Sequence, residues 1–297
     1  MVKQRRTKNE VYSSSYAKVN LFLDVIGKLD NGYHSVISLY TEIELYDTLK
    51  FSLTKKRNLE LLSNVVSLRS KSNLIYEIGI YIQDRYSVQC GAKIELEKNI
   101  PISAGLGGGS SNGAATIKGL SELWELNLSR EEMHDIAKRF GSDINFFLEG
   151  YMAIGKGRGE IIEPIDSQNG VSMGTSTLRD DFFIDNILLV NPNFAISSKE
   201  AYGLVGISSP NQNLTKLLNE QNVIFCFNKL EEGICEKYPV IKNTLNLLKE
   251  NGAKKAVLSG SGPTMIGFFE DSETCRNTQK VFEQMGFWSN ITSTRRR

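Results

Sequence analysis

The chain has few of the residues on which metal and redox sites depend. It holds only two histidines, His34 and His134, and four cysteines without CxxC or metal-ligand spacing, so we assign no metal-binding residues. No apolar run reaches about 18 residues and no signal-peptide pattern is present. The formal net charge of +1 suggests neither nucleic acid nor a membrane as a partner. These absences predict a reduced, cytoplasmic protein.

The length and the residue pattern predict an α+β enzyme. A chain of 297 residues with 40% hydrophobic and 23% charged residues is typical of one large or two medium globular domains. Strand-like and helix-like runs interleave without regular βαβ repeats, and the second half resembles helices on an antiparallel sheet. Predicted strands are Tyr16–Ile26, Val36–Leu45, Ala92–Leu96, Ile187–Val190, Ala256–Leu258, Met265–Phe268 and one near Trp288. Predicted helices are Asn73–Tyr86, Gly113–Trp124, Ser129–Phe140, Ser197–Leu204, Val223–Lys237, Val240–Glu250 and Ser272–Met285.

A glycine-rich segment before a helix predicts a phosphate-binding loop. Pro101–Asn112 reads PISAGLGGGSSN and precedes Gly113–Trp124, which has the spacing of an amphipathic helix. The glycines permit left-handed backbone and close approach of a ligand, and Ser110, Ser111 and Asn112 supply hydroxyls and a helix cap. The unpaired amides of the helix start attract an anion. We therefore expect a nucleotide triphosphate here; a flexible linker is disfavoured because the loop joins a strand-like run to a patterned helix.

The two commonest nucleotide fingerprints are absent. The sequence contains neither GxxxxGK[ST] nor a GxGxxG that opens a helix. Gly150–Gly157 has the P-loop spacing but ends in glycine where a magnesium-binding Ser or Thr is required, and it has the pattern of a strand. The loop at Pro101–Asn112 thus belongs to another class of nucleotide-binding protein.

Three short segments carry side chains suited to group transfer. Lys18 and Asn20 lie on one face of a strand by the two-residue period, and a lysine there needs an anionic partner. Asp143 follows a helix end and suits the carboxylate that receives or orients a hydroxyl proton in phosphoryl transfer. Tyr33 and His34 follow a hairpin turn, and they can stack on an aromatic base and hydrogen-bond to its polar edge. The residues alone also allow three purely structural alternatives: Lys18 could face solvent, Asp143 could cap a turn or the next helix, and Tyr33 could cover its own sheet.

Three separated segments together resemble the motifs of the GHMP kinases in their usual order. They are AKVNLFLDV at Ala17–Val25, PISAGLGGGSSN at Pro101–Asn112 and LSGSGPT at Leu258–Thr264. Within that superfamily, DNGYH at Asp30–His34 and GSDINFF at Gly141–Phe147 are most similar to the branch whose substrate carries a cytidine diphosphate. The resemblance covers most of the chain, and the combination of motifs makes it specific.

The resemblance implies a fold, a reaction and partners. The fold is the α+β, two-domain GHMP kinase fold, with an N-terminal layer like domain 2 of ribosomal protein S5, a ferredoxin-like C-terminal domain and an active site in the cleft between them. Residues 1–165 and 184–297 are then the two domains, and residues 166–183 a polar interdomain or insertion loop. The reaction is ATP- and Mg²⁺-dependent phosphorylation of a hydroxyl on a small cytidine diphosphate substrate, in the non-mevalonate route to isoprenoid precursors. A monomer or weak homodimer is expected.

The resemblance also implies roles for individual residues. Asp143 is expected to take or orient the hydroxyl proton, and Lys18 to stabilise the developing alkoxide and the carboxylate. Substrate contacts are expected at Asn20, Tyr33, His34, Phe194, Gly260 and Ser261, with Phe194 as a second stacking wall. ATP contacts are expected at Pro101, Ile102, Ser103, Ala104, Gly105, Leu106, Gly107, Gly108, Gly109, Ser110, Ser111 and Asn112.

Some features depart from the pattern or stay outside it. The family usually has proline where this chain has Asn145, which removes a φ restraint beside Asp143 and returns a backbone donor. The basic ends, with Arg295–Arg297 at the close, are expected to be solvated, and His134 to be a surface position of its helix. Two alternatives stay open: a GHMP kinase acting on mevalonate, homoserine or a sugar, and a kinase-derived sensor without catalysis.

Overall fold

The computed structural model describes residues 5–7, 9–30, 32–165, 182–206 and 211–296. Most of the first half forms one large sheet with strand order β1-β2-β3-β5-β4, in which β6 also pairs with β3, β7 with β6, and β9 with β2. Its strands are β1 (Arg5–Thr7), β2 (Glu10–Lys28), β3 (His34–Thr54), β4 (Leu59–Ser63), β5 (Gly91–Glu97), β6 (Met152–Lys156), β7 (Ile161–Pro164) and β9 (Phe227–Asn228). The long β2–β3 hairpin carries bulges after Tyr16, Asn20 and Val25, which increase the local twist of the strands.

Four helices cover one face of the large sheet and close the first core. They are α1 (Leu74–Arg85), α2 (Gly108–Leu123), α3 (Arg130–Phe140) and α4 (Ile144–Glu149). A Cβ added to Gly119 of α2 would lie 2.4 Å from the Phe51 ring of β3, so glycine lets this helix pack directly on the sheet. Asn73 caps α1, and the predicted capping box of Ser129 and Glu132 opens α3, which confirms both predicted helix starts.

The second half forms a four-stranded antiparallel sheet of order β10-β11-β8-β12. Its strands are β8 (Ile187–Asn191), β10 (Lys255–Leu258), β11 (Met265–Phe268) and β12 (Trp288–Thr292). Its helices are α5 (Ser198–Gly203), α6 (Asn213–Glu220), α7 (Glu231–Lys237), α8 (Pro239–Glu250) and α9 (Ser272–Gln284). All five residues of β8 are buried, as expected for a central strand with side chains in a core on both faces. The α+β class and the antiparallel second sheet are confirmed, whereas the boundaries at residues 165 and 184 stay a prediction.

The predicted helix Val223–Lys237 is wrong in its first half. A 3-10 turn covers Val223–Phe225, β9 follows, and α7 begins only at Glu231. The amide of Asn228 donates to the carbonyls of Leu258 and Gly260, and its oxygen accepts from Leu230 N. Such side-chain hydrogen bonds to the backbone compete with helix formation. Helix α6 was not predicted at all.

The C-terminal tail is also not the solvated end that its charge predicted. Thr294 pairs with Ile43 of β3, and the Arg295 side chain is only 6% exposed. The described residues leave out Lys3 and Lys8 of the basic N-terminal end, Arg297 of the C-terminal end, and residues 166–181 of the predicted polar loop. No helix in the described part is long and apolar enough to cross a membrane.

Candidate active site

A cleft of about 1010 Å³ brings together residues from both sheets. Its lining includes Asn20, Tyr33, His34, Asp143, Gly260 and Ser261 together with the loop residues Ser103, Gly105, Gly107 and Ser110. A second cavity of about 320 Å³ is lined by the loop and by Asn73, Leu74 and Lys98. The two cavities share those four loop residues, so the glycine-rich loop lies between them.

Segments from both sheets hold the glycine-rich loop in place. Lys18 N on β2 donates to Leu106 O at 2.9 Å. From the turn after β10, Ser259 Oγ donates to Gly105 O at 3.2 Å and Thr264 N to Ala104 O at 3.4 Å. The turn after β10 is therefore bonded to the loop by one serine hydroxyl and one backbone amide.

The loop ends in left-handed backbone that leads directly into α2. Gly105 and Gly107 have φ of 77° and 68°, and a Cβ on Gly107 would lie 2.7 Å from the Phe147 ring. The prediction that Ser110, Ser111 or Asn112 caps this helix is wrong. Helix α2 begins earlier, at Gly108; its N-cap residue is Gly107, and no side chain caps it. The first amides of this 16-residue helix are therefore not covered by a side chain, which suits an anion.

The side chains of Ser111 and Asn112 are buried and bond toward the sheet, although Asn112 also lines the smaller cavity. Ser15 Oγ donates to Ser111 Oγ at 2.7 Å, and Asn112 Nδ2 donates to Ser15 Oγ at 2.9 Å. Asn112 Nδ2 also lies 2.9 Å from Asp47 Oδ2. Both side chains fix α2 to the sheet, and Ser110 is the hydroxyl of this group that lines both cavities.

Asp47 of β3, which the sequence analysis did not identify, connects the start of α2 to the segment before the glycine-rich loop. Its fully buried carboxylate accepts from the backbone amides of Asn99 and Ile100 at 2.7 and 2.8 Å, and from Lys98 Nζ at 2.6 Å. A Cβ on Gly108 would lie 2.9 Å from that ammonium. Burial lowers the pKa of Lys98, against the opposing charge of Asp47. Its local sequence does not distinguish it from the other acidic residues of β3, Glu42 and Glu44.

Lys18 and Asp143 meet across the cleft, next to the loop. Lys18 Nζ lies 3.7 Å from Asp143 Oδ2, with side chains 6% and 34% exposed, so only the carboxylate reaches solvent. Lys18 Nζ also donates to Asn20 Oδ1 at 2.6 Å, and Asn20 in turn donates to Ser38 Oγ at 2.7 Å. Burial lowers the pKa of Lys18, and Asp143 opposes that shift. Lys18 is thus buried toward an acid, not outward-facing.

Asp143 occupies the N-cap position of α4, but its side chain makes no cap hydrogen bond. Its carboxylate is therefore not used for capping. It is the single acidic residue among the described residues that line the cleft. No group of three or more His, Cys, Asp or Glu side chains in the described ranges could hold a metal ion alone.

Asn145, in place of the usual proline, connects α4 to α3. His134 Nδ1 lies 2.8 Å from Asn145 Oδ1, and His134 Nε2 lies 2.5 Å from Glu149 Oε1. Arg130 contacts the same carboxylate with a bidentate pair at 2.8 and 2.7 Å. His134 is therefore a bridging side chain and not the plain surface position that its helix pattern predicted.

An aromatic wall closes the other end of the cleft. Tyr33 is 57% exposed, with the Arg158 guanidinium 5.0 Å from its ring centre. The ring of His34 stacks on Tyr202 of α5 at 5.4 Å and 19°. The sequence analysis did not identify Tyr202 or Arg158. Tyr202 lies one helical turn after Ser198, which also lines the cleft, but this spacing occurs in every helix and gives no specific signal.

Phe194 is not part of this wall. Its ring packs on Tyr238 at 5.4 Å, in the apolar cluster of the second sheet, and it is not among the described residues that line the cleft. Tyr202, on the helix that follows, lines the cleft and stacks on His34.

Comparison with known proteins gives consistent matches over nearly the whole chain. Residues 73–151 match the family "GHMP kinases N terminal domain", and residues 211–283 match "GHMP kinases C terminal". A 4-diphosphocytidyl-2-C-methyl-D-erythritol kinase of Thermodesulfovibrio yellowstonii is 34% identical over 94% of this chain and 96% of that protein. One of Caldanaerobacter subterraneus subsp. tengcongensis is 38% identical over 87% and 88%.

Solved structures show the same fold. A crystal structure of a 4-(cytidine 5'-diphospho)-2C-methyl-D-erythritol kinase matches with a TM-score of 0.78 at 24% identity, over 96% of this chain and 99% of that one. Homoserine kinase from Cytophaga hutchinsonii matches with a TM-score of 0.69 at 14% identity, over 98% and 96%.

Proposed function

The chain belongs to the GHMP kinases and, among them, to the 4-diphosphocytidyl-2-C-methyl-D-erythritol kinases, and on that premise we propose how its cleft works. It transfers the γ-phosphoryl group of ATP to the 2-hydroxyl of 4-diphosphocytidyl-2-C-methyl-D-erythritol. The observation that carries the proposal is the ion pair of Lys18 and Asp143 beside the start of α2. A base and a cation thus face the place where a phosphate would bind.

The glycine-rich loop holds the triphosphate of ATP. The uncapped amides of α2 and the left-handed glycines offer donors without a Cβ in the way. Because the loop lies between the two cavities, the adenosine part occupies the smaller one, beside Asn73 and Lys98. The γ-phosphate then points into the larger cleft, where Asp143 lies.

The two charged side chains divide the work at the hydroxyl. As the substrate oxygen bonds to the γ-phosphorus, the bond to the β-phosphate oxygen breaks, ADP leaves, and the hydroxyl proton passes to the Asp143 carboxylate. Lys18, buried and held by Asn20, offers a fixed positive charge to the developing alkoxide. Its proton-bound form is the useful one.

Mg²⁺ fits this site only together with the nucleotide. It prefers oxygen ligands and is commonly held by one or two carboxylates plus substrate phosphates, and when bound it neutralises phosphate charge during transfer. Ser110 offers a hydroxyl that lines the cleft beside the loop, and it would hold the ion together with the phosphates, while Asp143 remains the proton acceptor.

The aromatic wall binds the cytosine. Tyr33 and Tyr202 provide ring faces for stacking, and the imidazole of His34 provides a polar edge. Lys28, Arg158 and Lys199 also line this part of the cleft, and their charges suit the diphosphate of the substrate.

A substrate panel tests the function. Purified protein with ATP and Mg²⁺ is expected to release ADP with the cytidine substrate, and ³¹P NMR is expected to show the new phosphate on the 2-hydroxyl. Mevalonate and homoserine are expected to give no turnover. Turnover with one of these alcohols and none with the cytidine substrate would reassign the enzyme to another GHMP kinase activity. If no substrate in the panel gives ADP release, the protein is a binding protein and not a kinase.

Asp143→Asn tests the assigned base. This change keeps the shape of the side chain but removes proton acceptance, so we expect turnover to fall by roughly two to four orders of magnitude. Nucleotide binding, measured by calorimetry, is expected to change little because the loop is untouched. Near-normal turnover in this variant would remove Asp143 from the mechanism.

A further inference from the structure

The short helix that carries Asp143 depends on anchors elsewhere. Helix α4 has six residues, and helices shorter than about 12 residues are not stable by themselves. Its first turn has no side-chain cap, since Asp143 points into the cleft. The His134 bridge described above attaches one side of α4 to α3. Its C-terminal end needs a separate support.

A buried carboxylate, Glu42 of β3, supports that end. Its Oε2 accepts from Tyr151 N at 3.0 Å, and its own backbone N donates to Tyr151 O at 2.6 Å. From α2, Lys118 Nζ donates to Phe147 O and Leu148 O at 3.1 and 2.8 Å. The chain is therefore fixed on both sides of Gly150, the residue that ends α4.

The C-terminal tail neutralises Glu42. Arg295 Nη1 lies 2.6 Å from Glu42 Oε2, and the two side chains are 6% and 4% exposed. The guanidinium lies between the rings of Tyr16 and Tyr151, at 3.9 and 4.6 Å from their centres, and Arg295 N donates to Glu42 O at 3.0 Å. Removing one partner of a buried ion pair is strongly destabilising, because it leaves the other charge without compensation.

The two ion pairs are neighbours on one sheet face. Glu42 is the residue directly opposite Lys18 in the β2–β3 register. One pair, Lys18 with Asp143, lies at the start of α4, and the other, Glu42 with Arg295, lies under its end.

We propose that Arg295 is a positioning residue for phosphoryl transfer. Through Glu42 and Tyr151 it holds the end of α4, and thereby keeps Asp143 at its distance from Lys18. The proposal rests on the proposed function for its kinetic consequence, but the anchoring of α4 is a property of the protein without substrates.

The kinetic test compares two neighbouring arginines. With both substrates saturating, Arg295→Ala is expected to lower kcat by about 10- to 100-fold, since a displacement near 1 Å at a reacting group costs that much. KM for ATP is expected to stay within about twofold, because the loop is untouched. The matched control is Arg296→Ala, whose guanidinium packs on Phe183; its kcat is expected to stay within about twofold. A wild-type kcat in Arg295→Ala would overturn the proposal.

A second background separates positioning from stability. If Arg295 acts through Asp143, then Arg295→Ala adds little further loss to the Asp143→Asn variant, because the group being positioned is already gone. A general loss of folded protein would lower kcat by the same factor in both backgrounds. That equal factor would overturn the proposal.

Hydrogen exchange tests the anchor without any activity. In the protein without substrates, amides of residues 144–151 are expected to exchange faster in Arg295→Ala than in Arg296→Ala, while those of α1 are unchanged. Equal exchange over residues 144–151 would overturn the anchor, and absent turnover in the wild type would instead refute the proposed function. If Arg295→Ala does not fold, Arg295→Lys carries the test, since it keeps the charge but lacks the planar group between the rings. The same two outcomes, equal exchange or an equal loss in both backgrounds, count against it.

Discussion

Replacing Gly107 of the phosphate loop by alanine is expected to destabilise the protein, whereas the same change at Gly109 is expected to be tolerated. Gly107 has a φ of 68°, where an L-residue costs about 1–2 kcal/mol. Its added Cβ would lie 2.7 Å from Phe147 Cζ and 3.0 Å from Lys18 Cγ, compared with about 3.5–4.0 Å for an ordinary carbon contact. Gly107→Ala therefore displaces the side chains that hold Asp143 and the loop together.

The magnitude follows from these two costs and one gain. Overpacking of this kind costs about 1–3 kcal/mol, and the stiffer unfolded chain of the alanine variant returns about 0.4–1 kcal/mol. We expect the free energy of unfolding to fall by about 2–4 kcal/mol, which lowers Tm by about 3–6 °C for a chain of this size.

Gly109→Ala is the matched control. A Cβ there meets nothing within 4 Å, and its backbone is not left-handed, so alanine is expected to stabilise α2 by about 0.5–1 kcal/mol. Thermal unfolding of the three proteins, followed by circular dichroism without nucleotide, measures both effects. If Gly107→Ala unfolds within about 1 °C of the wild type, or above Gly109→Ala, the steric argument is wrong, since 1 °C corresponds to only about 0.6 kcal/mol.

Three further predictions concern the carboxylate under α2, the aromatic wall and the buried lysine. Asp47→Asn leaves the Lys98 ammonium buried without a counter-charge, so urea unfolding is expected to show a loss of about 3–5 kcal/mol; a loss under about 1 kcal/mol would mean that Asp47 is no anchor. Tyr202→Ala is expected to raise KM for the cytidine substrate about 5- to 100-fold, as expected for a lost base-stacking contact, with little change for Tyr202→Phe, and an unchanged KM in the alanine variant would remove Tyr202 from the pocket. Burial lowers the pKa of Lys18 from 10.5, so kcat is expected to fall on the alkaline side below pH 10.5, where the ammonium loses its proton. Because the folded state disfavours the charged form, the contribution of Lys18 to stability rises as pH passes from its folded pKa toward 10.5. A kcat profile for Lys18→Arg with the same alkaline limb would assign that limb to another group.

Local features of the fold were predictable because their causes are local. The caps of α1 and α3 depend on hydrogen bonds that span two or three residues, from Asn73 to Ile75 and from Ser129 to Glu132. The sequence also predicted that the strands now seen as β2 and β3 form a hairpin, and it predicted the bounds of β11. The start of α2 was placed too late because Gly108 and Gly109 are poor helix formers; Gly108 lies so close to Ile100 that a Cβ would not fit there.

Features of the site that depend on long-range pairing were not predictable. Arg295 and Glu42 are 253 residues apart, and no spacing rule links a basic tail to a buried acid. Tyr202 and Phe194 lie in the same short segment, and only the packing of Phe194 on Tyr238 decides which of them reaches the cleft. Lys18 and Asp143 were paired from the resemblance, since their sequence separation gives no sign of contact.

The glycine-rich loop is held by bonds from β2 on one side and from the turn after β10 on the other, so its anion site exists only when both sheets are folded and in contact. A nucleotide that binds this loop is therefore linked thermodynamically to the folding of the whole chain and not of one half. At a concentration 100 times its Kd, ATP would add about 2.7 kcal/mol to the free energy of unfolding. Both sheets would then gain protection together, as one cooperative unit.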